Sequence, residues 1–359
     1  MLPKKILILF QPHRIYTGSL LEMLVNTINT AEFQVQYVDI TDKPEYHYNK
    51  ISDKIKNIYN RKIKTNKQYI HTLEAEFYNR HYLKKIKEFK KNNSTKFDYI
   101  LVIKPEEFTP KVIREVVSLG DKSVGYIWDG LRLFLKPNLL KNRKYFDEVY
   151  SFDSNNIKDH PEIKLSFCTN FSVFNQQVVP YIDRKTDLFY IGDLAGTLES
   201  QRRDKKLSKL LQNISGKLDV NILFSDNQKH VGKLNDPNIK YITSFIPMKD
   251  TFERTRNSKV VIDICKAHHI GLSFRFFECL ATETKIITNN KDVVNYDFYN
   301  PNNIMIVDFE NDILNEECFT TFLENPYEKV DQTILQKYSI ENWIKYLFKE
   351  DNYLEISKE

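Results

Sequence analysis

The sequence predicts a tandem of two α/β lobes, each with a mostly parallel sheet, and three observations carry that expectation. The chain has 359 residues, enough for two domains of roughly 150 residues each. Short, continuous apolar runs alternate with segments of helical period, the pattern of βαβ units. The alternation then restarts once, after Val178-Val179-Pro180-Tyr181 and the polar Asp183-Arg184-Lys185-Thr186.

In the first half, residues 6–10 form an apolar run, as expected of a strand covered on both faces. A helix is expected over 20–28, a strand over 33–38, and one or two long helices across the basic segment 50–91. Strands follow at 97–103, 123–128 and 148–152. A helix over 112–119 should end at Gly120 as its C-cap. In the second half, strands are expected at 187–192, 220–224, 239–243, 260–264, 285–288 and 304–307, with helices near 203–211, 248–257 and 274–280. A terminal helix over 335–348 has Ser339 as a possible N-cap. The implied organisation is a first lobe over 1–170, a linker over 171–186, a second lobe over 187–334 and a C-terminal helical segment over 335–359 that can cross back to the first lobe. Two such lobes would leave a cleft at the carboxyl ends of their strands.

Composition narrows the function. With 41% apolar and 13% aromatic residues the chain can fill two cores, so disorder is excluded. No apolar run reaches the roughly 18–20 residues of a membrane span. Gln11-Pro12-His13-Arg14 follows the first apolar run where a signal-cleavage site would stand, so a cytoplasmic protein is expected. Cys168, Cys265, Cys279 and Cys318 are scattered without ligand spacing, which favours reduced thiols over a metal or disulfide framework. The net charge of +5 is unevenly placed: residues 50–91 carry thirteen basic and four acidic residues, +9, so the rest sums to −4. Such a segment suits a phosphate-bearing partner, including peripheral contact with the inner face of a membrane, or is a solvated helical face.

The most informative stretch is Gly271-Leu272-Ser273-Phe274-Arg275-Phe276-Phe277-Glu278-Cys279-Leu280-Ala281, followed by Thr284-Lys285-Ile286-Ile287-Thr288-Asn289. A loop ends at Gly271 and a helix begins near Ser273. Unpaired N–H groups in the first turn favour an anion there. Arg275 adds a guanidinium suited to phosphate oxygens. Glu278, three residues on, lies on the same side, where a carboxylate can accept two hydrogen bonds from a ribose diol.

Residues 271–289 resemble the donor-binding element of glycosyltransferases of the GT-B fold. They are most similar to CgeB-like and lipopolysaccharide- or capsule-biosynthesis members, whose sequences run in the style of GLSxRxFEALAxGxxLITxN. The following Tyr296-Asp297-Phe298-Tyr299-Asn300-Pro301-Asn302-Asn303-Ile304 is similar to that group as well. The resemblance implies two Rossmann-like lobes with an interdomain cleft and a C-terminal crossover helix, and gives Glu278 the nucleotide ribose. Several such enzymes carry a second acid eight positions earlier. Ile270 stands there instead, so the resemblance assigns no stereochemistry.

Around this element the donor set is completed by Gly271, Leu272 and Ser273. Gly192, in the first strand-to-helix turn of the second lobe, stands where similar enzymes place a diphosphate loop, with Arg202 and Arg203 as sources of charge. Phe245 and Ile246 are the candidate wall for the base. His268 and His269 precede the donor helix and are candidates for the transferred sugar or its phosphate; two adjacent histidines do not make a zinc site. For a general base the candidates are Asp129, directly after a strand, and His13, after the first strand. No DxD motif stands at a strand end. A metal-independent mechanism without cofactor is therefore expected, in which helix dipole and arginine charge stabilise the departing diphosphate.

The leading reading is a glycosyltransferase moving a hexosyl or related sugar from a nucleotide sugar to a hydroxyl of a cell-surface glycan, with no nucleic-acid partner. Two other readings stay open. One is a nonhydrolysing sugar-nucleotide epimerase. The other is a nucleic-acid- or anionic-lipid-binding module with a degenerate nucleotide site.

Overall fold

The computed structural model describes the chain apart from residues 1, 11–16, 31, 43, 49, 67–68, 94, 132–134, 173–177, 195–201, 225–227, 229–230, 266–268, 313 and 359. It divides into two compact units. The first holds residues 1–168 with 347–350, the second 169–346 with 351–359.

The first unit runs β1 (Lys4–Phe10), α1 (Thr17–Ile28), β2 (Phe33–Tyr37), α2 (Ile51–Lys62), α3 (Tyr69–Asn92), β3 (Phe97–Ile103), α4 (Pro110–Val117), β4 (Gly120–Ile127), α5 (Lys136–Asn142), β5 (Glu148–Ser151), α6 (Ser154–Asp159) and β6 (Ser166–Phe167). Its six strands are parallel in the order β2-β1-β3-β4-β5-β6. Strands β1 and β3 are buried through most of their length because both faces are covered, which is why they read as unbroken apolar runs. Leu7, Leu9, Ile100 and Val102 pack with Val112 and Val116 of α4 and with Tyr82 and Ile86 of α3. Residues 347–350 complete this unit: Phe348 stacks on Tyr99 with ring centroids 4.2 Å apart, and Glu350 pairs with Lys4 at 2.6 Å.

The second unit runs β7 (Thr186–Asp193), α7 (Arg203–Leu211), β8 (Leu218–Leu223), β9 (Ile239–Ile242), α8 (Met248–Arg256), β10 (Ser258–Asp263), α9 (Phe274–Thr282), β11 (Lys285–Thr288), β12 (Ile304–Ile306), α10 (Glu316–Glu324), α11 (Gln332–Lys337) and α12 (Ile340–Phe348), whose last two residues belong to the first unit. Its six strands are also parallel, ordered β12-β11-β10-β7-β8-β9. Leu207 and Leu210 of α7 and Phe319 and Phe322 of α10 pack on Leu188, Val220 and Ile262. Buried Arg184 donates to the carbonyls of Val179, Ser258 and Thr282, tying the start of β10 to the end of α9.

Two helix ends differ from expectation. Gly120 does not cap α4; Ser118 does, and Gly120 opens β4, where a Cβ would collide with the Ile100 side chain. The terminal helix is two helices, broken at Tyr338-Ser339, where the Ser339 hydroxyl accepts from the Asn342 N–H at 3.1 Å and starts α12. A third end carries strain. Glu283 closes α9 at φ 52°, in the left-handed region, where the resembled pattern has glycine. Relieving the Cβ there stabilises by about 1 kcal/mol, so Glu283→Gly is expected to raise the unfolding free energy by that amount, read from urea titration. No described helix is long and apolar enough to cross a membrane.

Candidate functional site

Chain order determines where a ligand can enter each sheet. In the second unit β7 comes first, the chain runs outward through β8 and β9, then returns to the other side of β7 with β10. The connections leaving β7 and β10 therefore diverge, and the crevice beyond their carboxyl ends is the switch point at which such sheets bind ligands. In the first unit the corresponding point lies between β1 and β3.

Helix α9 opens beside the β7/β10 ends. Ser273 is its N-cap residue by backbone conformation, with φ −67° and ψ 163°, but no side chain caps the first turn. The Ser273 hydroxyl instead donates to Asp263 Oδ1 at 2.7 Å, which fastens the helix start to the last residue of β10. The reason is local: Asp263 is buried, and its carboxylate needs donors. The preceding loop is pinned by side-chain amides. Asn170 donates to the Leu272 carbonyl at 3.0 Å, and Asn290 to the Ile270 carbonyl at 3.1 Å and the Gly271 carbonyl at 3.5 Å. Leu272 itself is buried, so only its backbone faces this purpose. The backbone at Ile270–Leu272 is thus held by side-chain amides, and the helix start that follows has no side-chain cap among the described residues.

Two arginines converge on the same strand ends. Arg275 Nη1 donates to the carbonyls of Ile191 and Ile262 at 3.0 and 3.2 Å, and its guanidinium lies over the Tyr190 ring, 6.0 Å from the centroid. Arg203 pairs with Asp193 and donates to the Ile264 carbonyl at 3.2 Å. Gly192 lies beside Arg203, and a Cβ there would collide with the Tyr190 hydroxyl. Arg202 is not part of this group. It is buried against Asp204 (Nε to Oδ1, 3.0 Å) and donates to the carbonyls of Val231 and Gly232, because buried Asp204 needs a cation. Its guanidinium is thus engaged by Asp204 and those carbonyls.

Glu278 stands one turn into α9, half-buried. Among the described residues its carboxylate has no hydrogen-bond or ion-pair partner; only its backbone carbonyl is engaged, by the Thr282 hydroxyl at 2.8 Å. Burial pushes its pKa up, with the Arg275 charge pulling the other way. A part-buried carboxylate left open in this manner is costly unless something else fills its acceptor positions. Phe245 and Ile246, after β9, lie outside the core cluster of this unit, and Phe245 is exposed. His269 is described and accepts a Cys265 thiol hydrogen bond on its carbonyl, whereas His268, like His13 and most of the turn after Asp193, lies outside the described residues.

At the first unit's strand ends, Asp129 follows β4 with a half-exposed side chain. Its Oδ2 accepts from Lys104 Nζ at 3.2 Å. Lys104 is buried directly after β3, at φ 58°, and also faces Glu107 Oε1 at 3.6 Å. Beside them Glu106 is buried with Oε2 unpartnered among the described residues, and burial raises its pKa to about 8 while Lys104 opposes the shift. Sequence reasoning missed Lys104, Glu106, Glu107 and Asp263. The signal was there: each stands at or just past the carboxyl end of an apolar run, the same position that singled out Asp129.

No protein-family model matches the chain, and no curated protein matches it. Solved structures do. The chain is similar to an alpha-glucosyltransferase in complex with UDP and a 13-mer DNA containing a HMU base, at TM-score 0.54 and 13% identity over 97% of this chain and 98% of that one. It is also similar to a UDP-forming alpha,alpha-trehalose-phosphate synthase from Burkholderia xenovorans, at TM-score 0.53 and 10% identity over 99% and 100%. Identities this low speak of fold, and the fold is the two-lobed α/β architecture of GT-B proteins.

Proposed function

We propose that the chain is a glycosyltransferase that takes a sugar from a nucleotide-sugar donor, with UDP the first nucleoside diphosphate to test, and passes it to a hydroxyl acceptor. One observation carries the reading: the open Glu278 carboxylate, one turn past an uncapped helix start at the β7/β10 switch point. In this assignment Glu278 accepts two hydrogen bonds from the ribose diol. The α9 start, Arg275 and Arg203 face the diphosphate, and Phe245 with Ile246 face the base. UDP in the alpha-glucosyltransferase complex and the UDP-forming synthase among the similar structures support that choice of nucleotide.

The chemistry is displacement at the anomeric carbon. The acceptor oxygen forms the new bond, the bond to the diphosphate breaks with its electron pair leaving on phosphate oxygen, and the acceptor proton passes to a base. Asp129 is the described candidate for that base, with Lys104 holding its carboxylate in place. The resemblance of residues 271–289 to lipopolysaccharide- and capsule-biosynthesis enzymes favours a glycan hydroxyl as acceptor. DNA containing a HMU base in one of the similar structures puts such DNA on the same acceptor panel.

The test is a thermal-shift screen with nucleoside diphosphates and their sugars, followed by isothermal titration. Stabilisation by one diphosphate, weakened about tenfold in Arg275→Ala, is the expected result. If no diphosphate or nucleotide sugar stabilises the protein, the reading fails.

A further inference from the structure

Helix α2 is inverted relative to an ordinary surface helix. Its one buried residue is polar: Asn57, whose amide donates to the Tyr48 hydroxyl at 2.7 Å. Asp53 and Asn60, at helical spacing from it, are half-buried. Ile51, Ile55, Ile58 and Tyr59, with Ile63 just past the helix end, are 81, 60, 48, 48 and 68% exposed. At 3.6 residues per turn Ile51, Ile55 and Ile58 fall within an arc of about 60°. The periodicity is that of an amphipathic helix, but its apolar stripe faces water.

A contiguous apolar stripe on a helix marks a binding surface, since covering it returns apolar area from water. Charge selects the occupant. Residues 50–64 carry six basic residues against Asp53 alone, +5, and Asp53 is on the inward side. A second copy of the chain would bring two such faces together and repel. A nucleic-acid backbone would meet the lysines but leave the isoleucines wet. An anionic bilayer surface satisfies both, with side chains of one face among acyl chains and the flanking cations at headgroup phosphates. Helix α3 extends the field, since Arg80, Lys84, Lys87 and Lys91 line a shallow groove with Glu88 the one acid beside them.

We propose that α2 is a membrane-surface helix, lying in the headgroup layer of an anionic bilayer with Ile51, Ile55, Ile58 and Ile63 inserted and Lys54 and Lys62 on headgroup phosphates. The proposal stands on α2 alone and is independent of the donor reading. Joined to that reading, it places sugar transfer at a membrane surface, where a lipid-linked acceptor is met.

The full chain is to be sedimented with vesicles of phosphatidylcholine, and with the same lipid mixed with phosphatidylglycerol. It should pellet with the mixed vesicles, less so at high salt, and stay in solution with phosphatidylcholine alone. Ile55→Asp with Ile58→Asp should cut partitioning about a hundredfold, and Lys54→Glu with Lys62→Glu at least about tenfold. Both double variants should keep the parent melting temperature, which separates a surface effect from misfolding. The proposal is overturned if the parent ignores phosphatidylglycerol vesicles or if the isoleucine variant binds them as well as the parent. It is equally overturned if duplex DNA is bound in place of vesicles, or if the isoleucine variant instead turns a dimer into a monomer.

Discussion

A Glu278→Ala variant is expected to bind UDP at least about a hundredfold more weakly than the parent protein while melting at the same temperature or higher. The two halves of that result have one cause. An ionised carboxylate accepting two hydroxyl hydrogen bonds gains about 1.5–3 kcal/mol from each, and alanine forfeits both. In the unliganded protein the carboxylate is half-buried without a partner among the described residues, so removing it costs the fold nothing and relieves a desolvated charge. A residue conserving structure would behave in the opposite way. The pH dependence follows the same logic: burial raises the Glu278 pKa, and protonation removes an acceptor, so UDP affinity should fall on acidification earlier than for an ordinary glutamate. Titration calorimetry at several pH values with parallel melting curves checks all three. An Ala variant that melts lower yet binds UDP unchanged would assign Glu278 to the scaffold.

The parts of this fold that sequence made legible are those set by short-range pattern. The strand over residues 97–103 is legible to the residue because Lys96 and Lys104 close its apolar run. Boundaries failed where tertiary packing decides. Gly120 looks like a helix cap until Ile100 is seen to occupy the space a side chain would need. The donor element was legible as a helix start followed by an arginine and a glutamate, but its fastening was not. Asp263 and Ser273 are ten residues apart and meet only because β10 and α9 are folded side by side. Arg202 and Arg203 show the limit most clearly. They are neighbours of identical chemistry, yet one reaches the strand ends of the crevice and the other is spent on buried Asp204. For the basic segment the sequence predicts helices without saying that the isoleucines of α2 point outward.

Glu106 should make the protein lose stability as pH rises from about 5 to about 8, and Glu106→Gln should remove that loss. The carboxyl is buried after β3, and its Oε2 has no partner among the described residues. Burial raises its pKa from 4.5 to about 8; Lys104 opposes the shift, and Glu107 and Asp129 add to it. The folded pKa lies above the unfolded one, so the folded state holds a proton that the unfolded chain has released. This contribution is fully present below the unfolded pKa and vanishes as pH climbs through the folded value, with a slope approaching about 1.4 kcal/mol per pH unit between the two. Glutamine keeps the shape and cannot ionise, so its advantage over glutamate should widen with pH and reach a few kcal/mol near pH 8. Urea melts of both proteins from pH 5 to 8.5 measure the difference directly. Curves that stay parallel across that range would mean the Lys104 charge, not burial, governs the site, and that Glu106 is ionised throughout beside Asp129.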